Sequence, residues 1–337
     1  PIAGMLFTLE VLMLDLTTVT VMPLLMASIS AASIAYIFTG YDLEFFFVQS
    51  EPFVTARIPF FVGLGLFCGL VSLYFTKVMM MMESFFKKHL SSQWKKTLFG
   101  GAVLASLVFL FPPLYGEGYG SINSLLNGDP SSIVDGSIFY NDRGSVTLII
   151  VYIGLIIALK GFATSATNGA GGVGGTFAPS LYVGCMAGFF FAYLLNNLFP
   201  GLDLSVKNFA LMGMAGVMSG VMHAPLMGIF LTAEMTGGYE LFLPLLIVSA
   251  ISYGTIKIFE PYSIYTMRLA RRGELLTHHK DKAVLTLLKM NSVIETDFLS
   301  VKADMNLRQM VDTISKSSRN LFPVLDDESH LIGVVLL

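Results

Sequence analysis

The residues with the most chemical content run from 165 to 179, Ser-Ala-Thr-Asn-Gly-Ala-Gly-Gly-Val-Gly-Gly-Thr-Phe-Ala-Pro, a glycine-rich hinge between apolar stretches at 145–163 and 180–199. Such a run leaves backbone N–H groups without side-chain cover. At a helix start those groups carry partial positive charge that suits an anion. Two nucleotide chemistries compete for the same glycines. Gly169-Ala170-Gly171-Gly172-Val173-Gly174 has the G-x-G-x-x-G spacing of dinucleotide sites, which need a short strand before the glycines and an acidic residue about 20 positions after them. The preceding apolar segment far exceeds a strand of about 5–6 residues, and no Asp or Glu occurs between Asp142 and Asp203. No Lys-Ser/Thr follows the glycines, as a P-loop would require. A plain glycine-rich helix contact is the other reading, since small residues are common where membrane helices pack.

The elements that position this hinge follow from composition. The chain has 337 residues, 54% hydrophobic and 13% charged, with mean hydropathy +0.72, whereas a soluble domain carries roughly 25% charged residues. This predicts an integral membrane protein. Spans of about 17–25 apolar residues are expected at 21–37, 58–82, 97–113, 145–164, 178–199 and 241–258, with shorter pieces at 1–14, 206–221 and 224–234. Exposed backbone at that depth is tolerated only where it lines a protein-enclosed cavity, and half-length apolar segments are typical of transporters with a binding site near the midplane. Lys87, Lys88, Lys95 and Lys96 form one basic cluster, and Arg268, Arg271, Arg272, Lys280 and Lys282 another. Both are expected on the cytoplasmic side, with the acidic loops 41–57 and 127–143 opposite. Cys68 and Cys185 lie in apolar spans and predict neither a disulfide framework nor a metal site. Met79 to Met82 read as adaptable packing. The chain opens at Pro1, in apolar sequence without a Met or a signal pattern, which is expected of a cut chain.

Pro1-Ile-Ala-Gly-Met-Leu-Phe-Thr-Leu-Glu10 recurs 224 residues later as Pro225-Leu-Met-Gly-Ile-Phe-Leu-Thr-Ala-Glu234, with Pro, Gly, Thr and Glu in register. Duplicated hydropathy of this kind marks transporters built from two related halves. The glycine hinge precedes the second copy, so its first-half counterpart is expected ahead of Pro1. Glu10 and Glu234 are intramembrane carboxylates and hence functional candidates. Their equivalence predicts a shared structural role, capping backbone N–H groups or bonding across the half-to-half interface, in preference to proton transfer. His223, before the second Ala-Pro, is expected to be a hydrogen-bonded helix cap.

Three motifs in order carry a family resemblance. Gly174-Gly175-Thr176-Phe177-Ala178-Pro179 resembles the G-x-F-x-P signature of the CLC chloride channels and chloride/proton antiporters. Pro1 to Glu10 and Ala224 to Gly228 resemble two related helices of the same family, and the likeness runs from Pro1 to about Arg272. It implies two inverted halves, a homodimer with one pore per subunit, and chloride held at half-helix N-termini. By that resemblance Gly174, Gly175, Thr176, Phe177 and Pro179 form the anion-binding segment, with the N–H groups of Thr176 and Phe177 on the central chloride. Tyr265 matches the pore tyrosine better than Tyr262 does, because the apolar and basic residues after it align. The family's gating glutamate and pore serine belong to first-half segments ahead of Pro1. In family antiporters a proton-passing glutamate directly follows the one matching Glu10; here that position is Val11, which points to channel-like or uncoupled transport.

After Arg272 the sequence turns polar. Ser292–Val301 reads as extended, Leu307–Ile314 as an amphipathic helix, and Phe322–Leu325 and Leu331–Leu336 as strands around an Asp326-Asp327-Glu328 turn. This resembles one CBS motif. Such motifs work in pairs, so adenine nucleotide is expected only where a second one is present. The chain is thus predicted to be an all-α integral membrane protein with inverted repeats over 1–272, followed over 273–337 by a linker and a partial cytoplasmic α/β CBS motif. The expected activity is chloride movement across the lipid bilayer, channel-like or weakly proton-coupled. Fluoride or nitrate as the ion is one alternative. A CBS-regulated cation transporter is another and would require acidic residues along the pathway. No enzyme activity, metal, resident cofactor or nucleic-acid partner is expected, since no metal-ligand cluster or nucleophile–base pair is present.

Overall fold

The computed structural model describes residues 2–11, 18–40, 45, 52–142, 144–272, 294 and 298–336. Pro1, most of the acidic loop 41–57, Arg143, and Lys280 and Lys282 lie outside the described residues. The chain divides into two compact units, Pro1–Leu275 and Leu276–Leu337.

The first unit is helical: α1 (Ile2–Val11), α2 (Thr18–Thr39), α3 (Ile58–His89), α4 (Gln93–Leu110), α5 (Tyr119–Asn127), α6 (Val146–Gly169), α7 (Phe177–Leu198), α8 (Val206–Met222), α9 (Pro225–Thr236), α10 (Phe242–Phe259) and α11 (Ile264–Arg272). Five segments among the described residues are long and apolar enough to cross a membrane: Val21–Thr39, Thr55–His89, Val146–Gly169, Phe177–Leu198 and Phe242–Ala270. The sixth expected span, 97–113, becomes α4, which takes Lys95 and Lys96 into its first turn and ends at Leu110 before Phe111 and the Pro112–Leu114 turn. Proline has no N–H to continue a helix. The helix α2 shows its apolar side chains outward, Phe38 being 83% exposed, as a lipid-facing helix would.

The core is organised around α8, whose residues from Asn208 to Met222 are all buried. It packs against α7, α10 and α3, and its small residues decide how closely. A Cβ added to Gly188 of α7 would overlap the carbonyl oxygen of Phe209, and one on Gly213 of α8 would overlap that of Gly184. The two backbones therefore touch directly, the close approach that small residues permit between membrane helices. On its other sides α8 is held by hydroxyls: Ser72 Oγ of α3 donates to Val217 O at 3.1 Å and Ser252 Oγ of α10 to Gly216 O at 2.7 Å.

The repeated decapeptides form the antiparallel pair α1 and α9, and their glutamates are exchanged. Glu10 Oε1 and Oε2 accept from the N–H groups of Leu226 (3.1 Å) and Met227 (2.7 Å). Glu234 accepts from Ile2 (2.7 Å) and Ala3 (3.4 Å). Each helix start has N–H groups without an intrahelical acceptor, and here the partner's last turn supplies a carboxylate. Thr8 and Thr232 repeat one bond as well, each donating to the carbonyl four residues earlier, Gly4 or Gly228. Hydrogen bonds to a charged group contribute about 1.5–3 kcal/mol. Glu10→Ala is accordingly expected to lower the unfolding midpoint in detergent. Equal midpoints for the Glu10→Ala variant and the parent protein would exclude this account of the helix pair.

His223 is the hydrogen-bonded cap of α8. It closes α8 through its backbone, in the left-handed conformation at φ 56° with its N–H on Ser219 O, while its ring lies edge-on to Tyr253 and Nε2 finds no partner among the described residues. The methionine run splits: Met79 and Met80 are buried and Met81 is exposed.

The second unit contains β1 (Val301–Lys302), α12 (Leu307–Lys316), β2 (Leu321–Leu325) and β3 (Leu331–Leu336). The sheet order is β1-β2-β3, parallel then antiparallel. Asn306 and Gln309 form a reciprocal capping box at the start of α12, a strong local start signal. Asp326 makes the tight turn, its Oδ1 accepting from Glu328 N at 3.0 Å and His330 N at 2.7 Å. The extended segment expected over Ser292–Val301 pairs only from Val301, and residues 292, 293 and 295–297 lie outside the described residues.

Candidate functional site

The hinge is shorter than its composition implies. Helix α6 continues through Ser165–Gly169, so only 170–176 leave helical geometry. The reason is the support from α4: Gln93 Nε2 (3.2 Å) and Thr97 Oγ1 (3.0 Å) both donate to Ala170 O, supplying donors to the end of a helix that has run out of its own. Gly171 then turns with φ +98°, a conformation in which glycine is unstrained. Gly172 N returns to Thr167 O at 3.0 Å.

Beyond the turn, Thr176 is the cap residue of α7 and Phe177 its first residue. The first-turn N–H groups of a helix have no carbonyl one turn earlier, and Pro179 in that turn has none to donate. The residues at 176 and 177 therefore bring unspent donors and the positive end of a long helix to one point. Thr176 is buried at 3% exposure. Its Oγ1 donates to the hydroxyl of Tyr265 at 3.0 Å, a contact between residues 89 apart. Tyr265 sits on α11, whose start is capped by Ser263 Oγ accepting from Thr266 N at 3.2 Å. Tyr262, the competing tyrosine, is 42% exposed.

Gly174 lies between two open cavities. One, of about 420 Å³, is bordered by Gly172, Gly174, Asn168, Glu83, Lys96 and Arg268. The other, of about 590 Å³, is bordered by Gly174, Gly175, Phe177, Pro179, Lys160 and Glu117. Helix α1 reaches the same place: the Phe7 ring meets that of Phe177 edge-on at 6.3 Å. Val11, the last residue of α1, is buried among apolar residues at 5% exposure. Glu10 and Glu234 face the helix starts described above.

The profile of the family described as "Voltage gated chloride channel" matches residues 1–257. The chain belongs to this family, the CLC proteins. Among its relatives, the voltage-gated ClC-type chloride channel ClcB of Salmonella dublin is 29% identical over 272 residues, covering 80% of this chain and 61% of that one. The H(+)/Cl(−) exchange transporter ClcA of Vibrio cholerae is 26% identical, covering 80% and 55%. The chain thus spans about three fifths of the length of the ClcB relative. Its fold matches the crystal structure of a slow cyanobacterial Cl−/H+ antiporter with a TM-score of 0.63 at 24% identity, over 81% of this chain and 60% of that one.

Two features of this CLC chain, the burial of Lys160 and the pairing of Glu83 with Arg268, were not expected from the sequence. Lys160, in the middle of α6, is a buried cation whose Nζ donates to Leu114 O (3.1 Å) and Gly116 O (2.9 Å) and stands 4.4 Å over the Tyr182 ring. Two carbonyls and an aromatic face are what a cation needs inside an apolar span. Glu83 and Arg268 form an ion pair at the end of α3. A charged residue inside an apolar run was the available cue for Lys160; nothing local marks a pair 185 positions apart.

Proposed function

We propose that the chain conducts chloride across the membrane along a path that passes the start of α7, with the N–H groups of Thr176 and Phe177 and the hydroxyl of Tyr265 as its ligands from this part of the protein. The observation that carries the reading is the Thr176–Tyr265 hydrogen bond at 3.0 Å. It joins the two parts of the sequence in which anion donors were expected, and because the phenol oxygen accepts there, its own proton is left to donate to an anion. Partial charges of helix ends and hydroxyls replace part of an ion's hydration shell without a full charge that would trap it. The names of the ClcB and ClcA relatives favour chloride as the ion.

Buried Val11 supports weak or absent proton coupling, since an alkyl side chain passes no proton. The protein is proposed to act as a homodimer, with the Leu276–Leu337 unit as one member of a cytoplasmic CBS pair that modulates transport. In liposomes, chloride efflux is expected from the intact protein and is expected to fall when Tyr265 is replaced by Phe; no efflux from the intact protein would end the chloride reading. The reversal potential under an imposed proton gradient is expected to stay at the chloride equilibrium value. A displacement towards the proton equilibrium would show that some group other than residue 11 passes protons.

A further inference from the structure

The inner wall of the smaller cavity carries charges that the proposed anion path does not explain. Glu83, near the end of α3, is held by two cations: Arg268 Nε donates to Oε2 at 3.0 Å and Lys87 Nζ to Oε1 at 2.6 Å. Lys87 is one helical turn beyond Glu83, a spacing that sets their side chains on one face. Arg268 is three residues after Tyr265 on α11, so the same rule puts the guanidinium on the face of α11 that carries the phenol. Ile264, Thr266 and Met267 of this nine-residue helix are buried, Thr266 and Met267 on the face away from Tyr265 and Arg268. Apolar packing limits how α11 sits against α8, but it is non-directional and does not fix rotation or slide along the helix axis. A charged hydrogen bond does, because its strength falls steeply with angle and distance.

We propose that the Glu83–Arg268 pair is a positioning device for Tyr265: by tying α11 to the end of α3 it sets where the phenol hydroxyl stands relative to Thr176 and the N-terminus of α7. Arg268 and Glu83 act through Tyr265 and touch no ion. The inference rests on the anion path for its functional consequence, but its geometry is independent of transport. As a contribution to stability the pair is small, since the Glu83 and Arg268 side chains are 29% and 39% exposed and such pairs are weak. Its effect is expected in ion discrimination, which responds to small displacements of a ligand.

The competing role for these charges is electrostatic, setting the potential of the cavity mouth. The two roles differ in sign. Glu83→Gln removes a negative charge and Arg268→Gln a positive one, so an electrostatic role predicts opposite changes in anion flux, suppressed by salt. A positioning role predicts that both variants move the chloride-to-nitrate flux ratio in the same direction, by at least about twofold, and that neither adds to the change made by Tyr265→Phe, since residues acting as one unit are not additive. The charge exchange Glu83→Arg with Arg268→Glu, made together with Lys87→Gln so that no like-charged pair is left one turn apart, should restore the ratio, which also separates lost positioning from misfolding. Fluorine NMR of the protein carrying 3-fluorotyrosine, with the Tyr265 signal assigned by its loss in Tyr265→Phe, gives a readout that needs no transport: Glu83→Gln and Arg268→Gln should shift that signal alike. Opposite flux changes, or an unmoved Tyr265 signal in both variants, would overturn the proposal. Shifted signals in a protein that passes no anion would leave the positioning role standing and remove the chloride reading instead.

Discussion

Gly188→Leu is expected to prevent α7 and α8 from docking and to leave no folded, monodisperse protein in detergent. Even Gly188→Ala should lower the unfolding midpoint sharply. A side chain at 188 must displace the Phe209 carbonyl, a main-chain group of a helix buried along nearly its whole length, and no rotamer relieves an overlap with backbone. Overpacking a close-packed core costs about 1–3 kcal/mol and occasionally more, and here two opposing glycines, Gly184 and Gly213, would lose their contact as well. Gly101 on α4 is the contrasting position, because a Cβ there meets nothing within 4 Å. Gly101→Ala should leave the protein folded and stabilise it by up to about 1 kcal/mol through helix propensity. The comparison tests the seam itself: similar midpoints for the two alanine variants would mean that α7 and α8 are not in backbone contact.

The second large effect concerns a group that side-chain mutagenesis cannot remove. Replacing the amide between Thr176 and Phe177 by an ester deletes the Phe177 N–H and keeps the side chain. If that N–H binds chloride, the loss of one hydrogen bond to a charged partner, about 1.5–3 kcal/mol, should weaken chloride binding on the order of 10- to 100-fold. Phe177→Leu retains the N–H and should bind nearly as well as the parent. Isothermal titration of chloride into the three proteins separates the outcomes, and unchanged affinity in the ester protein would remove the α7 start from the ion's ligands.

The link between these two predictions is mechanical. The α7–α8 seam fixes the axis of α7, and the axis fixes where the N–H groups at 176 and 177 point. The small residues that make the seam and the glycines that free the hinge therefore act in sequence along one helix: the first hold it, the second expose its end.

Much of this was legible from residue types. Apolar length located the long helices, because burial in lipid or core demands continuous apolar surface whatever the neighbours are; α3 runs seven residues past its expected end, and α5 and α11, short and less apolar, were not expected. The decapeptide repeat was visible because Pro, Gly, Thr and Glu are rare together in apolar sequence. Pairings were less legible. That Glu10 would meet Leu226 and Met227, and not some cation, depends on α1 and α9 lying antiparallel, which no local pattern encodes. The hinge was overestimated since glycine content reports what a backbone is free to do; Gln93 and Thr97, about 75 positions earlier, decide what it does. The Glu83–Arg268 pair was hidden for the same reason, each residue reading alone as an ordinary charge at a helix end. His223 was legible as a hydrogen-bonded cap from its place before the second Ala-Pro, though its backbone and not its ring makes the bond.

The exchanged glutamates have an electrostatic consequence for the neighbourhood of α7. Phe7, on the helix that carries Glu10, touches Phe177, so a carboxylate-bearing helix borders the segment proposed to attract an anion. An unscreened negative charge there would raise the barrier to any halide approaching through a medium of low dielectric constant. Each carboxylate instead sits at the positive end of the opposite helix dipole, forming two antiparallel charge–dipole pairs whose far fields oppose one another. The duplication thereby sets each acidic group against the other copy's helix start, so the negative charge next to the segment proposed to attract an anion is met by backbone N–H groups.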